Sequence, residues 1–202
     1  DQINQESLGF KLTINKKGLT SGNVTSKFLA TAELSDEAWM SNNDFNYSKF
    51  EITSLNYLKL DRNTFLKVRL MGGSITGTAP DFKSFALGGI GSLRASSYKF
   101  YTGNKMLMSN TEVIFGDFWS HNKGKIDIDG LYFSLFYDTG WTDFVANTSN
   151  DPLDGFQDVN FKNFTHNVGV GVGVNMLRLE VATPVARSEG FTAIWLRINP
   201  TF

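Results

Sequence analysis

The stretch Phe164–Pro184, "FTHNVGVGVGVNMLRLEVATP", alternates valine with glycine from Val168 to Val174, then alternates apolar with charged residues from Leu177 onward. Successive side chains of a strand point to opposite faces, so the four valines share one face and Gly169, Gly171 and Gly173 the other. Asn175 marks a very tight turn, after which Leu177, Leu179 and Val181 oppose Arg178 and Glu180. A strand of a soluble sandwich sets polar residues opposite its core face. Here the second face is bare backbone, the mark of a close approach by something else.

The same period runs through the chain. Phe10, Leu12 and Ile14 oppose Lys11, Thr13 and Asn15; Leu66, Val68 and Leu70 oppose Lys67 and Arg69. Leu131, Phe133, Leu135, Tyr137 and Trp141 oppose Ser134, Asp138 and Gly140, and Ile194, Leu196, Ile198 and Phe202 oppose Trp195, Arg197 and Asn199. Ser26–Leu34, Lys49–Leu60 and Lys105–Phe115 read as further strands, which predicts about eight to nine in all. Most have roughly the 9–11 residues of a tilted membrane strand, against ~5–6 in globular sheets.

Long connections (Asp36–Asn46, Gly72–Asn104, Thr142–Asn167, Pro184–Gly190) alternate with generally shorter ones (Lys17–Asn23, Asp61–Thr64, Gly116–Asp129, the turn at Asn175). That alternation fits an outer-membrane barrel, although Gly116–Asp129 is long for a periplasmic turn. A soluble jelly roll explains the period but not charged residues opposite apolar runs in nearly every strand. No internal repeat or linker divides residues 1–202, which read as one domain. The expectation is an all-β, antiparallel transmembrane β-barrel, with these strands forming part of a larger barrel.

A net charge of −1 gives no nucleic-acid footprint, and the lack of cysteine removes disulfide and thiolate chemistry. No run approaches the ~18 apolar residues of a membrane helix. A mean hydropathy of −0.18 suits both a soluble domain and a barrel with a polar lumen.

The longest connection contains "FALGGIGSLRASSYKF" (Phe85–Phe100). It resembles the lumen-directed loop of the BamA/TamA-type outer-membrane assembly family, the bacterial surface antigen family, in which Gly-Gly precedes a hydrophobic-Arg-Gly-aromatic motif. Gly88, Gly89 and Arg94 match; Ala95 and Ser96 stand where the family has glycine and an aromatic. "GNKMLMSNTEVIF" is similar to the family's next strand, with Glu112 its acidic residue. "LYFSLFYDTGW" matches Phe-x-Asp-x-Gly at Phe136, Asp138 and Gly140. "LRLEVATPV" and "AIWLRINPTF" look like the last two strands, ending on the terminal aromatic Phe202.

The resemblance implies the C-terminal half of a sixteen-stranded barrel in the bacterial outer membrane. It implies a role in inserting or translocating outer-membrane proteins. It also implies that Arg94 locks the loop against these strands. By face parity Glu112 and Asp138 both point into the lumen, where a guanidinium fork could pair with both. Gly169, Gly171 and Gly173 would then leave room for lumen contents, or simply curve the wall. Ala95 is a poor residue for φ > 0, so the loop tip is expected to differ from the family's. Expected partners are outer-membrane lipids, client outer-membrane proteins and periplasmic or lipoprotein partners. Alternative roles are an anchor for an upstream enzyme domain, or a stand-alone pore or scaffold barrel.

No active site is visible. Ser96–Lys99 fits S-x-x-K without its companion motifs. His121 and His166, read as lying in connections, have no cysteine to complete a soft-metal set. The acidic loops Asp127–Gly130 and Asp151–Asp158 lack the spacing of a calcium loop. The expectation is therefore no enzyme activity, no cofactor and no metal. Charged lumen residues Lys11, Lys67, Arg69, Arg178, Glu180 and Arg197 could line an aqueous path, but read rather as a ladder across neighbouring strands with contacts to the loop. Phe115, Phe118, Trp119, Tyr137 and Trp141 read as an interfacial belt.

Overall fold

The computed structural model describes residues 4–17, 24–36, 38, 40, 43–116, 130–146, 151–157, 159–186 and 190–198. Phe118, Trp119, His121 and Phe202 lie outside them, as does most of the 116–129 connection. The strands are β1 (Leu8–Lys17), β2 (Val24–Ser35), β3 (Asn46–Asp61), β4 (Thr64–Thr78), β5 (Phe85–Leu87), β6 (Tyr101–Gly103), β7 (Lys105–Gly116), β8 (Leu131–Asp143), β9 (Thr165–Val174), β10 (Leu177–Pro184) and β11 (Ala193–Ile198). Nine of them form one antiparallel sheet in the order β1-β2-β3-β4-β7-β8-β9-β10-β11, while β5 and β6 pair as a hairpin inside the long connection. The described strands leave the sheet open, with β1 and β11 at its edges.

Register follows from the alternation. Val113, Leu135, Val170, Val181 and Ile194 line up across β7 to β11 on one face, and Glu112, Phe136, Gly169 and Ala182 on the other. The first face is apolar and open: Phe10, Leu135, Val170 and Leu196 are more than half exposed. The second face carries most of the charges, Lys105 being an outward exception, and is covered by the long connection over part of its width. Inward charges and outward apolar side chains invert the arrangement of a soluble sheet. Asn175, at φ 53°, makes the two-residue turn between β9 and β10, a conformation asparagine tolerates.

Three expectations are corrected. β4 runs to Thr78, paired with β3 throughout, so the long connection spans 79–104 rather than 72–104. Gly72 and Gly73 are strand residues, not breakers. His166 lies in β9 rather than in a connection; its Nδ1 is 2.8 Å from both Tyr137 Oη and Thr139 Oγ1. Tyr137 is accordingly a mid-strand residue and not part of an end belt.

Candidate functional site: a loop seated on the inner face

The connection 79–104 lies along the inside of the wall. Its apolar part, Phe85, Leu87 and Leu93, packs with Tyr47, Ile75, Met106 and Met108 of the strands. Two strand glycines make room for it. A Cβ on Gly73 would sit 2.3 Å from the Phe85 ring, and one on Gly140 would sit 2.8 Å from Leu87 Cδ1. The hairpin reverses at Gly88 and Gly89, at φ 121° and 86°. Both values disfavour any residue with a Cβ, and at Gly88 that atom would fall 2.1 Å from the Ser97 carbonyl oxygen. Gly89 N donates to Leu93 O at 3.1 Å and Ser96 O at 2.9 Å, and Ser92 Oγ accepts from Gly88 N at 2.7 Å.

This turn delivers Arg94, 2 % exposed, to the middle of the wall. Its Nε donates to Asp138 Oδ2 at 2.8 Å and its Nη2 to Asp138 Oδ1 at 2.7 Å, a two-pronged pair. Asn110 Nδ2 donates to Asp138 Oδ1 at 2.7 Å, which helps satisfy a fully buried carboxylate. Arg94 Nη1 reaches Glu180 Oε1 at 3.3 Å. The guanidinium also stacks 3.4 Å above the Phe136 ring centroid. Burial alone would depress the Arg94 pKa; the bonds and charge of Asp138, with the charges of Glu180 and Glu112, outweigh it and hold the group above its usual value.

The loop backbone is held as well. Trp195 Nε1 donates to Arg94 O at 2.8 Å, Phe191 N to Ala95 O at 3.0 Å, and the Asn167 side-chain oxygen accepts from Ala95 N at 3.1 Å. Asn110 Nδ2 donates to Ser92 O at 2.7 Å, and Arg69 donates to Gly91 O. Ala95 is fully buried and is not among the described residues with positive φ, so alanine at this tip carries no left-handed strain. With Lys83 paired to Glu33 of β2 and its carbonyl accepting from Lys49 Nζ of β3, the loop bridges β2, β3, β4, β7, β8, β9, β10 and β11.

Glu112 does not join Arg94, contrary to the sequence expectation. It pairs with Arg178, whose Nη2 also donates to Ser134 Oγ at 2.7 Å. Arg178 Nε lies 2.8 Å from Glu180 Oε1, and Arg197 Nη1 lies 3.2 Å from the same oxygen. Glu180 thus binds three arginines at once, on loop, β10 and β11. Face parity placed Arg178, Glu180 and Arg197 in the lumen; it did not reveal that Glu180 rather than Glu112 is the second carboxylate beneath Arg94.

The valine-glycine strand explains the crossing. A Cβ on Gly171 would lie 3.0 Å from Arg178 Nε and 2.6 Å from Ser134 Oγ. The bare backbone lets Arg178 pass over β9 toward β7. Cβ atoms on Gly169 and Gly173 would strike the rings of Phe136 and Tyr132 at 2.1 and 2.2 Å. All three glycines are clearances for lumen side chains. Among the described residues no group of three or more His, Asp or Glu is placed to hold a metal ion.

An antiparallel wall, apolar outside and charged inside, with a buried arginine pinning an inserted loop, has the architecture of part of a transmembrane β-barrel. The fold is similar to the crystal structure of BamA from Haemophilus ducreyi lacking POTRA domains 1-3, with a TM-score of 0.63 and 15% sequence identity. The match covers 94% of this chain and 40% of that one, so the chain spans well under half the length of that protein. No family model and no curated protein matches the chain.

Proposed function

We propose that this chain forms part of the wall of a bacterial outer-membrane barrel of the assembly type, which helps insert or translocate other outer-membrane proteins. It acts by templating strands, without covalent catalysis, cofactor or metal. The observation that carries this reading is the seating of the 79–104 loop by Arg94 between Asp138 and Glu180. A loop fixed across the lumen side of eight strands fills space that a conducting pore keeps open. The unpaired edges of β1 and β11 add support. Backbone donors and acceptors in hydrocarbon must be paired, so each edge calls for a partner strand, and a client strand is one such partner. Lipids would meet the apolar face, and periplasmic or lipoprotein partners the turn end.

The test is depletion of the full-length protein from its native cell, reading the fraction of other barrel proteins that reach the outer membrane in folded, heat-modifiable form. A fall in that fraction is expected. An unchanged fraction overturns the assembly role; if an upstream enzyme activity is lost instead, the barrel is an anchor. Stable single-channel steps from the purified protein would mean a pore.

A further inference from the structure

On the outward face, where the wall would meet lipid, β4 carries no side chain at Gly72. Its cross-strand neighbours are Ile52 on one side and Leu107 on the other. A groove of about 510 Å³ opens there, lined chiefly by Phe50, Ile52, Gly72, Leu107, Leu153 and Phe156. Leu153 and Phe156 come from the β8–β9 connection, folded back over the outside of the wall. Three contacts hold that roof: Lys105 Nζ lies 3.4 Å from Pro152 O and 5.7 Å from the Phe156 ring centroid, and the Phe156 ring meets Trp141 edge-on at 6.1 Å.

We propose that this groove seats a hydrocarbon chain of a membrane lipid. The inference rests on the reading of the wall as membrane-embedded and specifies which part of it holds lipid in place. Its lining offers nothing to a polar ligand. The only polar side chain there, Ser74, accepts from the buried Lys105 Nζ at 2.8 Å, and the strand backbone is spent on the ladder. The notch is not a clearance for a protein neighbour, unlike the inward glycines: a Cβ on Gly72 would make only ordinary contact, 3.6 Å from Leu107 Cδ2. Leu153, 72% exposed, stands at the open rim. A second furrow of about 350 Å³ adjoins the first across Phe50 and Ile52, floored by Ala30 and Ala32. Small residues on β2 and β4 thus alternate with bulky ones on β1 and β3. Furrows on alternate strands lie about 10 Å apart, shaped for extended chains running along the wall.

The test reconstitutes the full-length protein into phosphatidylcholine vesicles whose acyl chains end in a diazirine, then maps photo-adducts by mass spectrometry. Adducts concentrated at Ile52, Leu107, Leu153 and Phe156, well above those at the open wall residues Ile194 and Leu196, are expected. Gly72→Leu, which fills the groove from its floor, should reduce the groove adducts several-fold and leave the others. Equal labelling of groove and open wall overturns the lipid seat while leaving the wall in the membrane. A groove left unlabelled while Ile194 and Leu196 carry adducts overturns it in favour of a second copy covering the groove. No adducts on any outward strand residue overturn the membrane reading itself. The groove-to-wall comparison within the unaltered protein decides the matter even where Gly72→Leu fails to fold.

Discussion

Trp195 donates its indole hydrogen to the carbonyl oxygen of Arg94 at 2.8 Å, joining β11 to the loop across 101 residues of chain. The bond ties the edge strand of the sheet to the loop inside it. Trp195→Phe keeps the ring and removes the donor, leaving the part-buried carbonyl unpaired. A cost of about 1–3 kcal/mol is expected, measured by reversible denaturant unfolding of the reconstituted barrel. Limited proteolysis should also cut within 79–104 faster than in the parent. Unchanged cleavage would mean the bond does not hold the loop.

Arg94→Ala leaves Asp138 and Glu180 buried beneath an empty fork. Removing one partner of a buried ion pair costs about 3–5 kcal/mol, so the folded, heat-resistant band should be lost at a markedly lower temperature. Arg94→Lys keeps the charge without the two-pronged geometry and should fall between Ala and the parent.

Gly169 and Gly9 separate clearance from curvature. Alanine at 169 would place its Cβ 2.1 Å from Phe136 Cζ and 2.3 Å from the Val181 carbonyl oxygen, and backbone does not move cheaply. Overpacking of that kind costs about 1–3 kcal/mol. Gly9→Ala meets nothing within 4 Å and should unfold as the parent does. Equal stability of the two variants would return the valine-glycine strand to a role in wall curvature alone.

Glu180 and Glu112 should differ in a definite order. Glu180→Gln weakens contacts to Arg94, Arg178 and Arg197, whereas Glu112→Gln affects Arg178, which keeps Glu180 and Ser134. The first substitution should therefore be the more destabilising in the same unfolding assay. A double-mutant cycle between Arg94 and Glu180 should give a coupling of about 0.5–3 kcal/mol.

The nine wall strands were legible because a period of two survives in a two-faced wall; valines outside and glycines inside belong to the same signal as Leu177, Arg178 and Leu179. The start of the long connection was not legible. A Gly-Gly pair reads locally as punctuation, while its meaning at 72–73 is tertiary: one glycine clears Phe85 inside and the other floors a groove outside. The partner of Arg94 was half legible. Parity assigns a face, but it does not say which of several inward carboxylates lies beneath a given loop atom. Asp138 and Glu112 sit on inward positions opposite Asn110 and Phe136, respectively. Arg178, reaching across β9 through the gap at Gly171, takes Glu112 away. Lys105 escaped notice altogether, since nothing local shows that a distant loop will bury an outward lysine.

The described side-chain and carbonyl partners of Arg94 all come later in the sequence: Phe136, Asp138, Glu180 and Trp195. A polypeptide made from its N-terminus cannot satisfy this arginine early. When the loop emerges, its guanidinium faces water, and the contacts that seat it close over tens of residues, an order that places them late in folding. The loop docks fully only once β8, β10 and β11 are in register. Docking therefore serves as a progress signal: a wall halted before β11 pairs leaves the loop loose and open to proteases, whereas one with β11 in place hides it.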